Sequence, residues 1–295
     1  MKLPKNEYRI SITSGCNMKC VYCHNEGNRY SVILNLDSIE NLIQNSYGLG
    51  LEGVRLTGGE PTIHPEFLNI CKMLKEKYNL KVGVNTNCIE FDKLMLGVKM
   101  GWIDRITVGI DYIDGFVSKN SPVGISSREI LTNIIKLKDL GVNISIATVY
   151  TNEFDNTLAL LKWGLNNGII VKIIEVVKNE IADNTSSEFL EMRTKIFAEF
   201  NLLSELDTFN QVIGKNNNGD TIVKFFHSHC RLRECDICKN LHLRVTSKGK
   251  LKHCLFYDET DIPFDKGCIR DNVINFLNMP VNYHDDDIMI KRRTI

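Results

Sequence analysis

Residues 8–23, YRISITSGCNMKCVYC, place a short run of β-forming residues directly before three closely spaced cysteines. Isoleucine alternates with polar residues in the run, which is typical of a β-strand. Cys16, Cys20 and Cys23 follow the pattern C-x3-C-x2-C and fit a compact loop wrapped around a metal centre. A strand that leads into such a loop indicates a parallel α/β architecture, in which functional groups gather at the carboxyl ends of the strands.

The alternation of β-rich runs with helical patterns continues to about residue 175. Five more runs predict strands: GVRLT (53–57), KVGVNT (81–86), RITVGI (105–110), VNISIATVY (142–150) and VKIIEVV (171–177). Two of the intervening helices show a capping-box spacing, near Asp37 with Glu40 and near Ser126 with Glu129. Six consecutive β/α units predict an α/β fold, a partial (β/α)6 TIM-like barrel with right-handed crossovers.

The cysteine distribution predicts a second, smaller unit after the barrel. Another helix is predicted over residues 186–205, and the turn-rich stretch GKNNNGD follows at 214–220. We place the boundary there, with the barrel domain at residues 1–213 and a small cysteine-rich α+β lobe at residues 214–295. Five of the ten cysteines lie in the lobe, where a metal cluster would stabilise a unit with little apolar core.

The composition argues against several classes of protein. Lysine plus arginine and aspartate plus glutamate each number 36, so the basic excess typical of nucleic-acid-binding proteins is missing. The longest apolar runs are too short to span a bilayer, and the N-terminal stretch lacks the apolar core of a signal peptide. We therefore expect a cytoplasmic protein without nucleic-acid or membrane partners, whose cysteines serve metal or redox chemistry.

Three cysteines leave one corner of an iron–sulfur cube without a protein ligand. A cubic [4Fe–4S] cluster normally takes four thiolates, and a zinc site would need a fourth cysteine or histidine at a comparable spacing. His24 is adjacent to Cys23 and is poorly placed to point into the same tetrahedron. We favour a [4Fe–4S] cluster with an open iron, which can chelate a small molecule, over zinc or a cluster used only for electron transfer.

The cysteine loop resembles the signature loop of the radical S-adenosylmethionine (SAM) superfamily. Three further stretches are similar to motifs of that family: RLTGGEPT at 55–62, VNTN at 84–87 and VGID at 108–111. The resemblance implies that SAM binds the fourth iron and that an electron from the cluster cleaves it to methionine and a 5′-deoxyadenosyl radical, which abstracts hydrogen from the substrate. It also implies cofactor-binding or cavity-facing positions for Gly58, Gly59, Glu60, Thr86, Asn87, Asp111 and Glu175.

Nearly the whole chain resembles one family within that superfamily, the GTP 3′,8-cyclases of molybdenum cofactor biosynthesis. The likeness extends to IIE at 173–175 and to LRVTSKGKLKHCLF at 243–256. It implies that the active site takes a small, nucleotide-like molecule, and we expect Arg9, His242 and Arg244 to contact this substrate.

The same resemblance implies a second [4Fe–4S] cluster in the C-terminal lobe. Cys235, Cys238 and Cys254 match the ligands of that cluster, and zinc is the alternative metal. Cys230 is predicted to close the cube as a fourth ligand, because a nearby thiolate should outcompete water or a weakly held substrate. Without Cys230, one iron would stay open for the substrate.

Several positions depart from the cyclase pattern. His64, His242 and Gly15 stand where those enzymes carry arginine, and the printed chain ends in RRTI without their Gly-Gly tail. Arginine is the preferred bidentate ligand for phosphate. We therefore expect a cyclase-like enzyme that uses a substrate other than GTP.

Other functions stay open from the sequence. A radical SAM dehydrogenase would use a fully ligated second cluster as an electron acceptor, and a peptide maturase would usually carry more C-terminal cysteines. A non-enzymatic iron–sulfur carrier or redox sensor would not need the SAM-side motifs. We favour a radical SAM enzyme that forms or rearranges a bond on a small molecule and takes electrons from flavodoxin or ferredoxin.

Overall fold

The computed structural model describes most of the predicted barrel and parts of the segment that follows it. The described residues are 6–20, 22–23, 32–115, 126–176, 186–208, 211–227, 243–252, 262–264 and 267–279.

Six parallel strands run in chain order through the middle of the sheet. They are β1 (Glu7–Thr13), β2 (Gly53–Gly58), β3 (Lys81–Thr86), β4 (Arg105–Gly109), β5 (Asn143–Tyr150) and β6 (Ile170–Glu175). Each strand pairs in parallel with the next strand along the chain. All six predicted strands are confirmed, and their order is the one that consecutive β/α crossovers produce.

A helix follows each of these strands. They are α1 (Leu36–Ser46), α2 (Phe67–Lys72, continued by a π-helical turn at Met73–Lys77), α3 (Phe91–Lys99), α4 (Ser127–Asp139), α5 (Phe154–Asn166) and α6 (Ser187–Glu199). Within the described residues, none of the helices has both the length and the apolar character needed to cross a bilayer.

The capping prediction is confirmed at α4 and wrong at α1. The Ser126 side chain accepts a hydrogen bond from the backbone N–H of Glu129 at 3.2 Å, as predicted. At α1 the cap is Asn35, whose Oδ1 accepts from the N–H of Ser38 at 2.8 Å. The helix begins before Asp37 because Asn35 has the extended backbone that lets a short side chain reach the first free N–H groups.

The sheet continues on both sides of the six central strands. Beyond β6 come β9 (Thr221–Phe226, parallel to β6), β8 (Gln211–Lys215) and the edge strand β7 (Leu203–Thr208). Beyond β1 come β10 (Leu243–Val245, parallel to β1), β11 (Lys250–Lys252) and β12 (Ile262–Pro263). The described residues thus form one twelve-stranded sheet whose ends do not pair with each other, as expected of a partial barrel. The last helix among the described residues, α7 (Ile269–Asn278), contacts α1.

The helix predicted over residues 186–205 is wrong after residue 199. Helix α6 ends at Glu199, and Asn201 takes a left-handed backbone conformation with φ +48. The chain then enters β7, which pairs with β8. A short apolar run does not distinguish helix from strand, so pairing with β8 decides the outcome.

The division into two domains stays a prediction. Its proposed boundary falls inside β8 (211–215), and β8 and β9 continue the sheet of the barrel. The predicted turn is present, since the Asn216 side chain accepts hydrogen bonds from the N–H groups of Asn218 and Asp220 at 3.0 and 2.9 Å.

The outer face of the sheet is apolar and lies under the helices. Alternate side chains along the strands are fully buried there: Tyr8, Ile10, Ile12, Val54, Leu56, Val82, Val84, Ile106, Val108, Ile146, Val171, Ile173, Val223 and Phe225. Each such side chain contributes roughly 1.5–3 kcal/mol by leaving water. Because side chains alternate along a strand, the residues between these ones point to the opposite face, called the inner face below.

Candidate active site

The cysteine loop, residues 14–23, follows β1 at the carboxyl edge of the parallel strands. Cys16 and Cys23 are exposed and Cys20 is half-buried. The backbone N–H of Cys23 donates to the carbonyl of Cys20 at 3.1 Å, and the N–H of Met18 donates to the Cys16 Sγ at 3.3 Å. These short-range bonds curl the loop, although the described residues contain no group of three Cys, His, Asp or Glu side chains already arranged to hold a metal ion.

Although Cys16 is exposed at the surface, the atoms around it partly desolvate its thiol, and this desolvation with the smaller effect of the charges of Glu60, Cys20 and Cys23 raises the pKa of the thiol to about 11, against the opposing hydrogen bond from the Met18 N–H. The three thiols therefore interact electrostatically and would repel one another as thiolates. A bound cation reverses this effect, because metal ligation holds cysteines in the deprotonated form. The donor set thus suits iron, with one thiolate for each of three corners of a cube.

Two glycines let β2 approach the cysteine loop closely. The N–H of Gly59 donates to the carbonyl of Thr13, and the N–H of Glu60 donates to the carbonyl of Gly15, both at 2.8 Å. A Cβ on Gly58 would lie 2.2 Å from the oxygen of Thr13, and one on Gly59 would lie 2.1 Å from the oxygen of Gly15. The structure therefore explains the glycine pair by its backbone contact with the cysteine loop.

Glu60 is buried at the centre of a hydrogen-bond network that joins β2 to β3. Its Oε1 accepts from the backbone and the hydroxyl of Thr62, at 3.1 and 2.6 Å, and from the Thr86 hydroxyl at 2.7 Å. Its Oε2 accepts from the N–H of Asn87 at 2.7 Å. Burial raises the pKa of Glu60, and these hydrogen bonds act in the opposite direction.

Asn87 links this network to the cysteine loop. Its Nδ2 donates to the Oδ1 of Asn17, which lies between Cys16 and Cys20, at 2.7 Å. Its own Oδ1 accepts from the N–H of Ile89 at 3.1 Å. Both polar atoms of the Asn87 amide are therefore engaged, and the loop is tied to the end of β3.

Asp111 makes a second link, from the end of β4. Its Oδ2 accepts a hydrogen bond from the hydroxyl of Tyr22, between Cys20 and Cys23, and its Oδ1 accepts from the N–H of Val149 at 3.0 Å. Burial raises the pKa of Tyr22, and the charge of Asp111 raises it further. Sequence reasoning missed both Asn17 and Tyr22, although their positions between cluster ligands could have indicated them.

Glu175 lies apart from the cysteine loop network. It continues the helix-facing alternation of β6, and its Oε1 accepts from the N–H of Ser186 at 2.7 Å, before α6. His227, which follows β9, lies with its Nδ1 3.9 Å from the Glu175 Oε2 and accepts from Arg193 at its Nε2, at 3.0 Å. The Nδ1–H tautomer of His227 therefore faces Glu175. A cofactor contact of Glu175 stays a prediction.

The inner face of the sheet is basic. In strands β1 to β6, β9 and β10 it carries six half-buried basic side chains, and Glu7 is its only carboxylate among the described residues of these strands. The six are Arg9, Arg55, Arg105, Lys172, Lys224 and Arg244. Strand register brings Arg9 beside both Arg55 and Arg244, and Lys172 beside Lys224.

These cations influence one another's protonation. The pKa of Lys172 is lowered to about 8 by burial and by the charges of Arg55, Lys224 and Arg105. The Lys172 ammonium donates to the Thr107 hydroxyl at 3.1 Å. Such mutual repulsion is relieved by a bound anion, so the inner face has the electrostatics of an anion-binding site.

His64, which stands in place of a cyclase arginine, points away from the inner face. It is buried, its Nδ1 accepts from the N–H of Glu66 at 3.0 Å, and its Nε2 lies 3.1 Å from the carbonyl of Leu34. The Nε2 therefore carries the proton, and burial lowers the pKa of the ring. His64 fixes the loop after β2, so its identity carries little information about phosphate binding.

Five of the predicted site residues lie outside the described residues. They are Cys230, Cys235, Cys238, Cys254 and His242. Arg244 is described, and its pairing with Arg9 brings two of the three predicted substrate contacts together on the inner face.

Comparison with known proteins identifies the superfamily of the chain. The family model of the Radical SAM superfamily matches residues 10–163, more than half of the chain. A probable GTP 3′,8-cyclase of Thermoplasma volcanium is 25% identical over 292 residues, which cover 93% of this chain and 87% of that protein. The GTP 3′,8-cyclase of Aquifex aeolicus is 25% identical over 276 residues, covering 87% of this chain and 83% of that protein.

Solved structures share the fold. Streptococcus suis SuiB bound to S-adenosylmethionine superposes with a TM-score of 0.69 at 16% identity, over 99% of this chain and 68% of that one. Native anSMEcpe with bound AdoMet gives a TM-score of 0.66 at 16% identity, over 96% of this chain and 82% of that one. These likenesses confirm the partial-barrel fold class.

Proposed function

The chain belongs to the radical SAM superfamily. We propose that it is an enzyme that abstracts hydrogen from a small, phosphate-bearing, nucleotide-like substrate and thereby forms or rearranges a bond. Membership implies a [4Fe–4S] cluster and SAM as cofactors. Together these supply the radical that the reaction requires.

Residues of the cysteine loop and of the neighbouring strand ends would hold these cofactors. Cys16, Cys20 and Cys23 would bind three irons, and Glu60 with Asn87 would keep the loop fixed against β2 and β3. We propose that the polar groups at the ends of β2, β3 and β4 also contact SAM, since they surround the loop at the same edge of the sheet. Such rigid support matters because small displacements at a reacting centre slow catalysis strongly.

The basic character of the inner face is the observation that supports an anionic substrate. One face that carries six half-buried cations and one carboxylate suits a polyphosphate or another multiply charged anion. The comparisons do not support the expectation that the substrate differs from GTP. One of the substitutions behind that expectation, His64, points away from the inner face. GTP is therefore the first nucleotide to test.

Replacing Lys172 with methionine is expected to weaken GTP binding about tenfold to a hundredfold, because a charge-assisted contact contributes roughly 1.5–3 kcal/mol. The measurement is titration calorimetry at fixed ionic strength with GTP, ATP, guanosine and inorganic triphosphate. Guanosine should bind far more weakly than GTP.

Lys162→Met is the matched control for this experiment. Lys162 lies on α5 and pairs with Glu199 at the surface, so the charge change is the same without any change at the inner face. Equal affinities of the native protein, Lys172→Met and Lys162→Met for GTP would contradict the anionic substrate class. Conversion of GTP to a cyclised product, detected by mass spectrometry, would establish cyclase activity directly.

We propose a second [4Fe–4S] cluster in the segment that follows residue 213, with Cys235, Cys238, Cys254 and Cys230 as ligands. The support comes from the spacing of these cysteines and from the likeness to the cyclases. We propose that flavodoxin or ferredoxin donates the electron. The proposed location of the protein is the cytoplasm, where such donors can reach the cluster.

Anaerobically reconstituted protein is expected to contain about eight irons per chain. Cys230→Ala should change the spectrum of the second cluster and lower its stability, because a closed cube would lose one thiolate. The control is Cys268→Ala, which removes an exposed thiol before α7. About four irons with one zinc would contradict the second cluster, and an unchanged spectrum in Cys230→Ala would mean that its fourth iron is open.

A further inference from the structure

Glu7 lies between two arginines of the inner face. Its Oε1 accepts a hydrogen bond from the Arg55 Nε at 3.0 Å, and its Oε2 accepts from the terminal nitrogen of Arg105. The three side chains come from β1, β2 and β4 and are all only partly exposed. One carboxylate thus holds two guanidinium groups that would otherwise repel each other.

The strand between the two arginines leaves room for this arrangement. Gly83 of β3 is in register with both Arg55 and Arg105. A Cβ at position 83 would lie 2.6 Å from the Arg105 Nε and 3.1 Å from its Cγ. Arg105 therefore lies across β3 at a position that any larger residue would fill, and this brings it to Glu7.

The bonds to Glu7 leave donors for a ligand. A guanidinium carries five N–H groups, and the bond to Glu7 uses one from each arginine. The Arg105 Nε is buried and has no hydrogen-bond partner among the described residues. Because the Arg105 side chain is 36% exposed while its Nε is buried, the donors that a bound anion can reach are its remaining terminal N–H groups.

We propose that Glu7 is a positioning residue of the anion site, which orients Arg55 and Arg105 so that their remaining donors converge on the substrate's charged group. This inference rests on the proposed function, since it assumes an anionic substrate on the inner face. A positioning role for Glu7 and a purely electrostatic role predict opposite effects of its removal on anion binding. Removal of a negative charge from a basic face should tighten anion binding, whereas loss of the positioning carboxylate should weaken it.

The test measures binding of inorganic triphosphate to the reconstituted protein by calorimetry at fixed ionic strength. Glu7→Gln should raise the Kd about tenfold, because one of the two acceptor oxygens becomes an NH2 group that would face an arginine donor to donor. Glu7→Asp should also raise the Kd several-fold, although the charge is unchanged, because the shorter side chain cannot reach both arginines. Thermal unfolding and iron content would show that each variant is folded.

Glu52→Gln is the matched control. Glu52 is exposed before β2 and accepts from the Asn6 side chain, so the variant loses the same charge outside the inner face. Unchanged or tighter triphosphate binding by both Glu7 variants would overturn the proposal while leaving the anion site intact. Absence of triphosphate binding by the native protein would overturn both this proposal and the anionic substrate class.

Discussion

Replacing Cys20 with alanine is expected to abolish reductive cleavage of SAM, with no 5′-deoxyadenosine above background in anaerobic assays with dithionite. The thiol of Cys20 is one of three in the cysteine loop, and an alanine side chain cannot ligate iron. Iron should fall from about eight to about four per chain, because the proposed second cluster lies elsewhere.

Cys71→Ala serves as the control, since its thiol is fully buried in α2 away from the cysteine loop. This variant should keep the native iron content and the native rate. Normal 5′-deoxyadenosine formation by Cys20→Ala would show that the cysteine loop does not hold the catalytic cluster.

Gly59→Ala is expected to lower the rate of SAM cleavage at least a hundredfold while the chain stays folded. The new Cβ would meet the backbone of Gly15 and Ser14, with contacts of 2.1 Å to the Gly15 oxygen and 2.8 Å to the Ser14 oxygen. Backbone cannot move aside as a flexible side chain can, so the cysteine loop itself must shift. A displacement near 1 Å at a reacting centre can cost about a hundredfold in rate.

Gly109→Ala is the matched control at the end of β4, two strands away from β2 in the sheet. There a Cβ would have the Thr86 oxygen as its nearest neighbour, at an ordinary 3.8 Å. Denaturant unfolding should show a loss of about 1–3 kcal/mol for Gly59→Ala and little change for Gly109→Ala. Equal activity of the two variants would mean that the close approach of β2 to the cysteine loop is not needed for catalysis.

Two parts of one sheet have different roles in the proposed enzyme. The carboxyl edge of β1 to β4 carries the cysteine loop and the network of Glu60, Asn87 and Asp111 that supports it. The inner face carries the cations that we assign to the substrate. A partial barrel allows this division, because its inner face need not be filled by apolar side chains as in a closed barrel.

Much of the architecture was predictable because the signals are local. Each of the six central strands is a run of five to nine residues in the sequence, and burial of alternate residues follows from the two-residue period of a strand. The three cysteines of the cysteine loop lie within eight residues, so their spacing alone indicated a metal centre. Gly58 and Gly59 likewise indicated that the backbone there approaches another group closely, but they did not indicate that this group is the cysteine loop.

The contacts that organise the site were decided by the tertiary structure. Tyr22 and Asp111 lie 89 residues apart, and no local pattern pairs them. Where local signals were ambiguous the interpretation failed, as in residues 203–208, where pairing with β8 overrides a helical pattern.

The basic inner face is the clearest example of what only the tertiary structure decided. The zero net charge of the chain gave no sign of it. In the sequence, each of the six basic residues occupies what looks like an ordinary polar position of an alternating strand. Strand order and register then place Arg9 between Arg55 and Arg244, and Gly83 makes room for Arg105. The physical reason is that a sequence determines which residues of a strand share a face, whereas only the pairing of distant strands determines which charges share a site.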